Sequence, residues 1–173
     1  SAQCRGNDND PRWFLGDGLV DGEVSGVVND LGISMVGSGI ISAGIGNPET
    51  FVNSPPGFND GAWHHVALTS VNGGDVVMYI DGVEEGTNIG AAIDQSTANN
   101  NVLCIGCNPD NGREFNGLID DVAIWDRALT PSEIALINSS GLNGTSLGAI
   151  TIPEPSSITL ALIAGLGLLR RRR

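Results

Sequence analysis

WHHVALTSVNGGDVVMYIDGV, residues 63–83, decides the fold. In its first half Trp63, His65, Ala67 and Thr69 fall on one face of a strand, and His64, Val66 and Leu68 on the other. Asn72-Gly73-Gly74-Asp75 supplies residues that tolerate positive φ, so the chain can reverse. Val76, Met78 and Ile80 then alternate with Val77 and Tyr79, and Asp81-Gly82 makes the next turn. The stretch is a β-hairpin.

Outward from it the punctuation stays that of an all-β protein, short apolar runs parted by Gly, Asn and Asp. Strands are predicted near 23–28, 31–36, 40–45, 102–105 and 118–125, and RWFLGDG at 12–18 also reads as strand-like. The one helix signal is LTPSEIALI, residues 129–137. Thr130 suits the N-cap, Pro131 the first helical position, and Glu133 completes a T-x-x-E capping box. Leu129 and Ile134 are spaced as a hydrophobic staple. Many strands and one terminal helix imply a β-sandwich.

The chain has 173 residues, 40% hydrophobic and 16% charged, with 25 Gly. That is too apolar for disorder, and the Gly lacks a collagen period. Lys is absent. Residues 1–150 hold 4 Arg against 19 Asp/Glu, a formal −15, while the last 23 carry 4 − 1 = +3. So acidic a body repels phosphate backbones, which argues against nucleic acid as a partner. No charged n-region and apolar h-region stand near Ser1, so the chain is read as the C-terminal portion of a longer precursor.

The tail, PEPSSITLALIAGLGLLRRRR at 153–173, is a different material. Ile158 to Leu169 is uncharged, and with Ser156 and Ser157 a helix there would span about 21 Å, short of the ~30 Å bilayer core. Arg170, Arg171, Arg172 and Arg173 form a membrane-stop cluster that stays cytoplasmic by the positive-inside rule. Prolines on both sides of Glu154 keep that spot extended, a shape a processing enzyme can grip.

Pro153, Glu154, Pro155, the short apolar stretch and the Arg cluster together resemble the PEP-CTERM sorting signal of Gram-negative bacteria. The resemblance implies export by the general secretory route, transient inner-membrane anchoring, cleavage by an exosortase, and release to the cell surface or beyond. Residues 58–137 in turn resemble the laminin-G-like, concanavalin A-like jelly-roll domain. FNDGAWHHVALT, VVMYIDGVEEG, LCIG and FNGLIDDVAIWDRALTPSEIALI follow one another in that family's order. The resemblance implies an antiparallel jelly-roll β-sandwich and leaves activity open, since the fold hosts lectins, adhesion modules and glycosidases. The expected organisation is a sandwich over 1–137, a Gly/Ser/Asn-rich flexible linker over 138–152 and the sorting signal over 153–173.

No pair of carboxylates fits glycoside hydrolysis. The Glu-x-Asp-x-x-Glu pattern of the resembling glucanases is missing, and adjacent Glu84 and Glu85 would point opposite ways on a strand. A non-enzymatic module is therefore expected. His64 and His65 also diverge, which suits a structural role better than a shared metal. Cys104-Ile-Gly-Cys107 is read as a disulfide first, with pairing to Cys4, free thiols or a metal as alternatives. Asp120 shares a predicted strand face with Leu118, Val122 and Ile124. A carboxylate there needs backbone N–H partners, the favoured reading, or a bound Ca²⁺ such as related concanavalin A-like proteins often hold. NDND at 7–10 and NPDN at 108–111 read as turns, and the Asn138 and Asn143 sequons carry no weight beside a bacterial tail. Exposed Trp13, Trp63 or Trp125 could stack on sugar rings. The expected function is a secreted or cell-surface module binding a polysaccharide or matrix component. The alternatives are a structural biofilm protein and an accessory domain of an upstream glycoside hydrolase.

Overall fold

A computed structural model describes residues 10–24, 26, 30–45, 50–88, 102–110 and 112–152. The hairpin forms where its alternation placed it, as β5 (Val66–Ser70) and β6 (Val76–Ile80), paired Val66 to Ile80 through Ser70 to Val76. Asp81 and Gly82, at φ 52° and 80°, make the left-handed two-residue turn that Asp-Gly favours. That turn leads into β7 (Val83–Asn88), completing a three-stranded antiparallel sheet in the order β5-β6-β7.

The second sheet has five strands. It contains β1 (Asp17–Asp21), β2 (Leu31–Val36), β3 (Ile40–Ile45), β4 (Thr50–Asn53) and β8 (Cys104–Ile105), ordered β4-β3-β2-β1-β8 and antiparallel throughout. Its inner face gives Met35, Ile41, Ala43 and Val52, which pack against Val76, Met78 and Ile80 from β6. Val66 and Leu68 of β5 join the same cluster. The opposite face of the hairpin is not wet. Tyr79, Ala67 and Val77 are covered by Leu129, Ile134 and Ile137 of helix α1 (Pro131–Leu142) and its approach. With apolar residues on both faces of β6, burial of its side chains dominates the stability of this half.

The start of α1 follows its local signals. Thr130 Oγ1 accepts from the Glu133 N–H at 3.3 Å, and the Glu133 carboxylate accepts from the Thr130 N–H at 2.7 Å. Arg127 adds two hydrogen bonds to Glu133, at 2.7 and 2.9 Å. The Arg127 guanidinium, foremost, and the Thr130 N–H hold the Glu133 carboxyl down at about 2. Thr130→Ala is expected to cost about 1 kcal/mol, read as a lower urea midpoint at unchanged slope.

Several elements differ from the sequence expectation. Residues 13–15 form a 3-10 turn, not strand, and the strand that follows is Asp17–Asp21; of the predicted 23–28, residues 25, 27 and 28 lie outside the described residues and 23, 24 and 26 are not strand. Asp21 and Asp30 explain the second shift, because their carboxylates take the N–H groups of Glu23 (2.8 Å) and Val24 (3.2 Å) that a ladder would need. Residues 118–125 are not a strand. Asp121 sits at φ 49°, which interrupts the extended run, and Leu118 and Ile124 are 78% and 69% exposed. Helix α1 continues five residues past Ile137 to Leu142, and Leu147, Ile150 and Ile152 then pack on the α1 cluster. The segment read as linker thus begins as helix and ends on the core.

Candidate functional site

The segment that brings the chain into β5 carries the most exposed tryptophan among the described residues, Trp63, at 65%. Around it the backbone is held by one histidine. His64 Nδ1 lies 2.8 Å from Asp81 Oδ2 and Nε2 lies 3.2 Å from Asp60 Oδ1, so the imidazole bridges two carboxylates. Phe58 meets the same ring edge-on, at 5.1 Å between centroids. Asp81 also accepts the His65 N–H at 2.9 Å, and its carbonyl accepts from Asn138 of α1 at 2.8 Å. The β6–β7 turn, the entry to β5 and helix α1 are therefore fastened to one another beside Trp63.

The charge of this clamp follows from its partners. Burial pulls the His64 imidazole down, but the hydrogen bonds to Asp81 and Asp60 outweigh it and raise its pKa above the ordinary histidine value. The Ala62 N–H, and then His64, lower Asp60. His65 is pushed down by burial, and its Nδ1 is buried without a hydrogen-bond partner among the described residues. The two histidines are treated differently, one set in the carboxylate clamp and one with its Nδ1 buried.

The other residues singled out in the sequence are scattered. Trp125 is 39% exposed, whereas Trp13 is 1% exposed and cannot meet a ligand, a correction to its expected availability. Trp13 is buried because β2 and β3 present Gly32 and Gly44 beneath it, and a Cβ at either would overlap its ring. Cys104 and Cys107 are joined in a disulfide with a Cα–Cα separation of 5.5 Å. Cys4, Pro153, Glu154, Pro155 and Arg170 to Arg173 lie outside the described residues. No helix among the described residues is long and apolar enough to cross a membrane.

Asp120 is exposed, not set among aliphatic side chains, and its Oδ1 accepts the Asp121 N–H at 2.9 Å. Its predicted strand face does not form. Among the described residues no group of three or more His, Cys, Asp or Glu is placed to hold a metal.

A second polar centre is not apparent from the sequence. Asp21 and Asn108 are fully buried and Asp30 is 2% exposed. Asn108 Nδ2 donates to Asp21 Oδ2 at 3.2 Å. Burial pushes the Asp21 carboxyl up to about 7 against the pull of the Glu23 N–H and Asn108, and the charge on Asp30 adds to the rise. Burial raises Asp30 as well. Alternation along β1 does not reveal it, because the irregular register between Gly18 and Val20 sets Asp17 opposite core-facing Met35 and Asp21 opposite Gly32 on the other face.

A family model described as the concanavalin A-like lectin/glucanases superfamily matches residues 8–135. The chain is 32% identical over 102 residues to mouse "Sushi, von Willebrand factor type A, EGF and pentraxin domain-containing protein 1", a match covering 54% of this chain and 3% of that protein. It is 31% identical over 103 residues to human "Adhesion G-protein coupled receptor D1", covering 58% and 11%. Among solved structures it resembles the binding domain of Paraclostridial Mosquitocidal Protein 1, with a TM-score of 0.52, 16% identity and coverage of 82% of this chain and 36% of that one. The chain spans a small part of the curated relatives it matches.

Proposed function

We propose, from the premise that the chain belongs to the concanavalin A-like lectin/glucanases superfamily, that it is a non-catalytic binding module of the cell exterior whose ligand is a polysaccharide or another matrix component. One observation carries the reading: Trp63 stands 65% exposed on a backbone that His64 clamps to Asp60 and Asp81. A large aromatic left in water loses solvent-exposed area when a sugar ring stacks on it, and a rigid mount removes part of the ordering cost. The names of the relatives, with the words "pentraxin" and "adhesion", point the same way. Export through the Pro153-Glu154-Pro155 signal, with exosortase cleavage and transient inner-membrane anchoring by the tail, completes the proposed function.

The test is a titration of the full chain with a panel of soluble polysaccharides. Saturable binding is expected for at least one, and Trp63→Ala is expected to weaken it about tenfold or more, some 1.4 kcal/mol, with an unchanged melt. Binding that survives Trp63→Ala intact removes Trp63 from the site, and no saturable binding across the panel removes the carbohydrate reading. For the tail, the mass of the protein recovered from an exosortase-bearing host is expected to lack residues beyond the Pro-Glu-Pro site. Pro155→Ala is expected to retain them.

A further inference from the structure

The outer face of the five-stranded sheet, opposite the sandwich core, is covered by the chain's own residues 10–16. Trp13 lies flat over Gly32 and Gly44, and its carbonyl accepts from Ser34 Oγ. At its start the strap is tied by the Asn53 amide, which donates to the Pro11 carbonyl at 2.9 Å, and at its end by the turn after β8. Asn108 Nδ2 reaches the Phe14 carbonyl at 3.4 Å, and Arg113 donates to the Leu15 carbonyl. Both side chains come from the turn that follows β8, and that turn is itself joined to β1 by the Gly106 N–H to the Leu19 carbonyl at 2.9 Å.

Asp21 stands at the centre of these contacts. The Asn108 amide that touches the strap also donates to the Asp21 carboxyl, and that carboxyl shares the space above Gly32 with the Trp13 ring. The charged groups around it come from every neighbouring segment. Glu23 and Asp30 belong to the β1–β2 connection, Arg113 to the turn after β8 that also carries Asn108, and Asp17, paired with core-facing Met35, lies on the opposite face of the sheet. β2 presents only glycine there, and β8 brings the Cys104–Cys107 disulfide. Arg113 is directed at the Leu15 carbonyl and Arg12 at Asp10. The charge that bears on Asp21 is thus another acid, Asp30, and both are closed to water.

We infer that residues 10–16 are a pH-sensitive strap, latched on the outer sheet face while Asp21 keeps its proton and lifted when Asp21 ionises beside Asp30. An ionised, fully buried carboxylate must either find a counter-charge or admit water. Admitting water here means raising Trp13, the wall that closes the space over Gly32. The strap also gains on opening, because the Trp13 indole N–H is buried without a hydrogen-bond partner among the described residues and solvent supplies one. The lifted strap uncovers a floor of Gly32, Ser34, Ser42 and Gly44, a face distinct from the Trp63 region.

The experiment uses the full chain with Trp63→Phe and Trp125→Phe, which leaves Trp13 alone of the three tryptophans. Acrylamide quenching of Trp13 is followed across neutral pH, with far-UV circular dichroism recorded on the same samples. Quenching is expected to rise about threefold or more with a midpoint near 7, the value to which Asp21 is raised, while the dichroism holds. Asp21→Asn in this background is expected to keep Trp13 protected throughout. Asp30→Asn, which removes the neighbouring charge, is expected to move the midpoint to lower pH. Hydrogen exchange at residues 13–21 of the unaltered chain gives the same reading without a substitution. Flat quenching, an equal rise in Asp21→Asn, or a rise that coincides with loss of dichroism overturns the strap.

Discussion

Trp13→Ala is expected to lower the unfolding free energy by about 3–5 kcal/mol, the range for truncating a large buried aromatic. The site cannot collapse to soften that cost. The ring rests on backbone at Gly32 and Gly44, in the middle of paired strands β2 and β3, and neither strand can move inward without disturbing Met35, Ile41 and Ala43 beneath. Truncation therefore leaves a cavity on the outer sheet face and wets Asp21. Trp13→Phe is expected to cost less, since it keeps an aromatic over the glycines and deletes an indole N–H that has no partner among the described residues. Urea denaturation at pH 5, where the strap is closed, separates the two. A Trp13→Ala cost below about 1 kcal/mol, the size of an ordinary surface substitution, contradicts the packing described. Gly44→Val provides the reverse test, because its side chain needs the volume that the ring fills.

How much of this was legible in the sequence depends on the range of the interaction involved. The β5–β6 hairpin and the start of α1 were readable because their determinants are local: period-two alternation, an Asp-Gly turn, a capping box. Strands β2 and β3 were readable for the same reason, with the Gly37-Ser38-Gly39 turn between them. Residues 118–125 alternate as well as any strand in the chain, yet alternation does not supply a partner, and Asp121 turns left-handed within the run. Helix α1 runs past its expected stop because Ser139, Ser140 and Gly141, poor helix formers by propensity, follow Ile134 and Ile137, whose burial under the hairpin anchors the helix. At the candidate site, Trp63 and His64 stood out by type, but Asp60 and Asp81 did not. Their convergence on one imidazole is a tertiary fact spanning 4 and 17 residues. Trp13 misled because its fate is decided by two glycines on other strands.

Asp21 is expected to tilt global stability with pH. A carboxyl that ionises at 3.8 when exposed and at about 7 in the fold costs about 4 kcal/mol once ionised in both states. Below 3.8 it is protonated folded and unfolded and contributes no slope. Between 3.8 and about 7 the unfolded chain has already lost the proton that the fold keeps, so stability falls as pH rises. Above 7 the penalty is complete and the slope ends. Asp30, raised by burial, acts in the same direction, and strap opening relieves part of the cost by hydrating Asp21. Glu133 opposes them only in stronger acid. Its pKa is depressed to about 2, so its contribution is lost as pH falls from the ordinary glutamate range toward 2, and solvent screening at the helix surface holds it to about 1 kcal/mol or less. Ionisation of Asp21 therefore outweighs Glu133, and the stability maximum is expected on the acid side, at about pH 4–5. Asp21→Asn is expected to flatten the descending limb and to make the protein a few kcal/mol more stable than the parent at pH 8. Urea midpoints at pH 4, 6 and 8 for parent and variant decide it, and parallel pH profiles would show that Asp21 does not carry the slope.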